Sequence, residues 1–109
     1  MTSRELILLM TTLPDTASAE RIAATLVEQK LAACVQILPP GQSIYEWGGQ
    51  VTRAEECLLL VKTLLSHQER AVAALLAAHP YQLPELIGMR PDYVSPAYQD
   101  WVAQTLAAV

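Results

Sequence analysis

Two apolar runs without alternation, LILLM at Leu6–Met10 and CLLLVK at Cys57–Lys62, constrain this 109-residue chain more than any other feature. A half-solvated strand alternates apolar and polar side chains with a period of two, so such runs belong to strands buried on both faces. The fold must therefore cover both sides of a sheet. Glu5–Thr12 reads as a first central strand and Val51–Thr63 as a long second one.

The segments between them fall into place by period and punctuation. Asp15 is a helix N-cap, and Ile22, Ala23, Leu26 and Val27 recur at helical spacing to about Lys30. Ala33–Leu38 is a strand, interrupted by Pro39-Pro40-Gly41 because proline supplies no ladder donor. Extended structure resumes at Ser43, with Ser43, Tyr45 and Trp47 on one face, and Gly48-Gly49 supplies a hairpin turn. Ser66-His67-Gln68-Glu69 has the form of a capping box opening a second helix. The stripe of that helix is Val72, Leu75, Leu76 and His79, and Pro80 ends it. Pro84–Met89 is a short last strand. Ser95-Pro96 opens a third helix with the stripe Tyr98, Trp101, Val102, Thr105 and Leu106.

The order predicts an α+β fold in one domain over residues 1–109: a ferredoxin-like βαββαβ sandwich with an extra C-terminal helix. Two helices on one face leave the other face of an apolar sheet open. With only 17% charged residues, and Tyr45 and Trp47 projecting from the hairpin, the chain is expected to be a homo-oligomer.

Charge narrows the partners. The net charge is −4 and the seven Lys and Arg are scattered singly, so no basic stripe exists to neutralise a nucleic acid. Runs such as Leu6–Met10 fall far short of the ~20 apolar residues of a membrane span, and the start lacks a signal-peptide layout, which gives a cytoplasmic expectation. Cys34 and Cys57 form no CxxC or Cys/His pattern and read as free thiols. No Gly-rich phosphate loop, Gly-x-Ser-x-Gly elbow or His-Glu-x-x-His is present, so no enzyme is expected.

An ordered set of motifs adds to this reading: KLAACV at Lys30–Val35, Ser43-x-Tyr45-x-Trp47-x-Gly49, Glu56 with Leu58 and Lys62-Thr63, HPYQLPEL at His79–Leu86, and Tyr98-x-x-Trp101. The set resembles the CutA divalent-cation-tolerance family over nearly the whole chain. The resemblance implies a ferredoxin-like subunit in a tight homotrimer and kinship with the PII signalling trimers, whose clefts between subunits hold small ligands. It further implies a divalent metal ion, copper included, as the ligand. Members described as copper-binding have a cysteine where this chain has Thr11 and a second histidine where it has Ala78, so only His79 remains of that set. Val94 replaces the glycine usual before the last helix.

The candidate metal ligands are His79, Cys34 and Glu85. A neutral imidazole suits copper or zinc, with Tyr81 or Glu85 able to orient it. The competing reading of His79 is a ring that fills the last helical turn and bonds locally, and for Cys34 it is a small core residue. Tyr45, Trp47, Glu56, Lys62 and Tyr81 are candidates for ligand or intersubunit contact. Glu56 and Lys62 share a face of the long strand by parity. The function expected is metal tolerance through weak or intersubunit metal binding, set against a PII-like small-ligand sensor and a purely structural scaffold.

Overall fold

The structure, a computed structural model, describes residues 4–107. In chain order the elements are β1 (Leu6–Leu13), α1 (Thr16–Glu28), β2 (Cys34–Ile37), β3 (Gly41–Trp47), β4 (Gln50–Leu64), α2 (Gln68–Ala78), β5 (Leu86–Met89) and α3 (Pro96–Thr105), with a 3-10 turn at Leu65–His67. The sheet runs β2-β4-β1-β5, and β3 pairs with the first half of β4. All pairings are antiparallel. Among the described residues no helix is long and apolar enough to cross a membrane.

The β1–β4 register sets Leu6 opposite Leu64 and Leu13 opposite Cys57, which separates odd from even residues by face. The odd set, including Ile7, Leu9, Leu13, Leu59 and Val61, is buried beneath Ala19, Ile22 and Leu26 of α1 and Ala71 and Leu75 of α2. The even face is different. At one end Leu6 and Leu64 are sealed by Val102 and Leu106 of α3, with Tyr98 and Val94 alongside. Farther along, Met10, Leu58 and Leu60 are only half-buried, and on β5 Ile87, opposite Met10, and Met89, opposite Leu8, are 44% and 40% exposed. Both-sided burial of the central strands is thus complete on one face and partial on the other.

Local chemistry explains most boundaries. Asp15 caps α1, its carboxylate accepting from the Ser18 backbone N–H and hydroxyl at 2.7 Å each. At the other end Lys30 takes φ 60°, and Leu31 and Lys30 donate to the Leu26 and Val27 carbonyls, closing a Schellman turn without glycine. Gly48 and Gly49 both have positive φ, as a two-residue hairpin turn of type I′ requires. The capping box does not form. His67 stands at the cap with a helical backbone and no side-chain cap bond, because the 3-10 turn has already bent the chain, and Ser66 Oγ lies 3.0 Å from His67 Nδ1 instead. The α2 stripe is also rotated: Ala71 and Leu75 are buried while Leu76 is exposed.

The hairpin continues well past the helical layers. The radius of gyration is 14.8 Å, against about 13 Å for a compact chain of this length, and the long axis is 46 Å. This extension forms one wall of the site.

Candidate functional site

The site begins where α2 ends. His79 is the C-cap of α2 with an extended backbone, φ −71° and ψ 134°, the conformation that the following Pro80 favours. Its ring turns away from the helix onto the end of β1. Nε2 lies 2.9 Å from the Thr12 carbonyl and 3.2 Å from Thr11 Oγ1, and Nδ1 accepts the Tyr81 backbone N–H at 3.2 Å. A backbone N–H only donates, so Nδ1 is the unprotonated nitrogen and Nε2–H donates to Thr12. Thr11 in turn donates to the Glu85 carbonyl at 2.6 Å.

The network continues outward. The Tyr81 ring lies 5.1 Å from the His79 ring, tilted by 48°, and its hydroxyl donates to Glu56 Oε2 at 2.7 Å. Burial, followed by the bond to Glu56 and the Glu56, Tyr45 and Asp15 charges, raises the Tyr81 pKa far above the ordinary tyrosine value. Its hydroxyl therefore stays a donor. The Thr11–His79–Tyr81–Glu56 chain ties the loop of residues 79–85 to β1 and to the root of the hairpin.

Between that loop and the hairpin lies a cleft of about 830 Å³. Thr12, Ser43, Ile44, Tyr45, Trp47 and Glu56 form one side, and Pro80, Tyr81, Gln82, Leu83 and Glu85 the other. Of the residues singled out from sequence, the structure brings Tyr45, Trp47, Glu56, Tyr81 and Glu85 together here, with His79 behind them. Ser43, Thr12, Gln82 and Leu83 were not singled out as site residues. The Thr11-Thr12 pair at the end of the apolar β1 run is the signal that could have placed hydroxyls at this depth.

Two candidates lie elsewhere. Cys34 on β2 faces Lys62 in the register and lies near Tyr98 of α3, whose pKa is raised by burial and then by Cys34. It does not approach His79. Lys62 donates to Gln36 Oε1 at 2.6 Å, while Glu56 is held by Tyr81. Sharing a strand face did not bring them together, because six residues of strand span about 20 Å. His79, Cys34 and Glu85 therefore do not converge.

Among the described residues of this chain no transition-metal centre is assembled. Coordination needs a free lone pair on nitrogen, and both His79 nitrogens are engaged, one accepting from Tyr81 and one carrying the proton shared with Thr12. Among the described residues no group of three or more His, Cys, Asp or Glu side chains is placed to hold a metal ion. No buried side-chain nitrogen or oxygen among them is left without a hydrogen-bond partner, so none waits for an ion.

A family model described as CutA1 divalent ion tolerance protein matches residues 7–105. The chain belongs to this CutA1 family. The divalent-cation tolerance protein CutA of Salmonella newport is similar, at 35% identity over 102 residues, covering 94% of this chain and 89% of that protein. Among solved structures, CutA1 from Ehrlichia chaffeensis superposes with a TM-score of 0.93 at 30% identity, covering 99% of this chain and all of the other. CutA from Xylella fastidiosa gives a TM-score of 0.90 at 39% identity, covering 94% and 98%. CutA1 membership accounts for the ordered motifs, and the mixed α+β architecture matches those structures.

Proposed function

We propose that this CutA1 chain acts in divalent-cation tolerance as a non-enzymatic homotrimer whose working site is the cleft between the hairpin and the 79–85 loop. In this reading the cleft takes a small ligand, as in a PII-like sensor, and His79 is structural. One observation carries it: the imidazole is fully engaged within the chain, while beside it an 830 Å³ cleft stands open, within the size range of small-molecule sites. The half-open apolar face around Met10 and Leu60 supports neighbouring copies completing the molecule. Free Cys34 and Cys57 fit a reducing compartment, and we read the chain as cytoplasmic.

A second reading keeps the metal at the site. Glu56 and Glu85 both line the cleft, and a neighbouring chain would have to complete a weak intersubunit site for copper or another divalent ion. Calorimetric titration of copper and zinc into wild type and His79→Ala separates the cases. The proposal expects the same isotherm for both proteins. Stoichiometric binding lost in His79→Ala overturns it, and binding lost only in Glu56→Gln or Glu85→Gln favours the second reading.

A further inference from the structure

The chemistry of the cleft lining limits what it will accept. Its acidic side chains are Glu56 and Glu85, and among the described residues no Lys, Arg or His lines it. The Asp15 charge also reaches the site, since it acts on the Tyr81 hydroxyl. Two basic residues on the strands are turned to other partners, Arg53 to Gln42 and Lys62 to Gln36. Tyr81 donates to one oxygen of Glu56 and holds the carboxylate in place, leaving acceptor capacity on a side chain that lines the cleft. Part of the remaining wall is aromatic, with Tyr45 and Trp47 two residues apart on one strand face and exposed, beside Ile44, Pro80 and Leu83. Ring faces carry the negative part of the aromatic quadrupole and attract cations.

We propose that this cleft selects an organic cation, an amine, guanidinium or quaternary ammonium compound, held between the Glu56 and Glu85 carboxylates and the rings of Tyr45 and Trp47. The inference rests on the reading of the cleft as a ligand site and narrows it to one charge class. On this chain's own lining, phosphorylated ligands such as nucleotides are disfavoured, because a phosphate here meets carboxylates with no compensating cation among the described lining residues. The volume suits a molecule of metabolite size rather than a bare ion.

The test is calorimetry and thermal-shift measurement on the full chain with choline and agmatine as cationic probes, dimethylbutanol as the uncharged isostere of choline, and ATP as the anionic probe. Saturable binding of choline or agmatine is expected, with a rise in melting temperature that the uncharged isostere does not give. Glu56→Gln and Trp47→Ala are each expected to weaken that binding by about tenfold. Glu85→Gln serves as an independent carboxylate variant should Glu56→Gln disturb the Tyr81 contact and the fold. Binding of ATP or dimethylbutanol in place of the cations overturns the charge assignment and leaves the ligand cleft standing. Silence with all four probes overturns both.

Discussion

Thr11 holds two neighbours at once, donating to the Glu85 carbonyl and lying within reach of His79 Nε2, at a position with no solvent exposure. Thr11→Val keeps the shape and removes the donor, so the Glu85 carbonyl loses its partner and the start of β5 loses an anchor. A loss of about 1–2 kcal/mol is expected in urea unfolding, together with faster amide exchange across residues 79–85. Unchanged exchange there would detach Thr11 from the loop. The location of His79 at a helix exit was legible from Pro80, because proline forbids a further helical residue and biases the one before it. Its partners were not legible, since which hydroxyl and which carbonyl meet the ring depends on how β1 lies against the loop. The same holds for Cys34: a thiol in a strand has no sequence signature for the α3 tyrosine it meets.

At the scale of elements, propensity fixed the hairpin turn and the first helix cap but not the second cap. A capping serine must sit in extended backbone, whereas the chain leaving β4 is already turning at Leu65, whose N–H is held by the Glu5 carbonyl at 2.7 Å. The Schellman turn ending α1 shows a comparable compromise. Lys30 occupies the left-handed region, which costs a non-glycine residue roughly 1–2 kcal/mol, yet its Nζ reaches the Thr105 carbonyl at the end of α3, 3.1 Å away. That bond is exposed and of small net value. Lys30→Gly is therefore expected to raise the thermal midpoint, by a gain of up to about 1 kcal/mol, whereas a lower midpoint would mean that the Lys30 tie between α1 and α3 outweighs the backbone strain.

For the whole molecule the decisive property is the asymmetry of the two sheet faces. The apolar runs of β1 and β4 announced that both faces require cover, and the structure supplies α1 and α2 on one and only α3, over one end, on the other. The amphipathic pattern of α3 gave Val102 and Leu106 as buried, but Trp101 of the expected stripe is exposed, and the pattern did not say which face the helix would choose, because both faces of the sheet are apolar. Leu60 lies on the uncovered part, opposite Met10 on β1 and Gln36 on β2. A carboxylate there does not touch the helix-side core, whose residues have odd numbers on both strands, so Leu60→Glu should keep the helical circular dichroism of the wild type. It does place charge in the centre of any surface that pairs copies through this face, and burying an unpaired charge costs several kcal/mol. Wild type is expected to sediment as an oligomer and Leu60→Glu as a single chain near 11.9 kDa. A folded Leu60→Glu variant that still sediments with wild type would move the contact to the hairpin edges, where Ile44 and Val51 are exposed, and would separate the cover of the sheet from the assembly of the cleft.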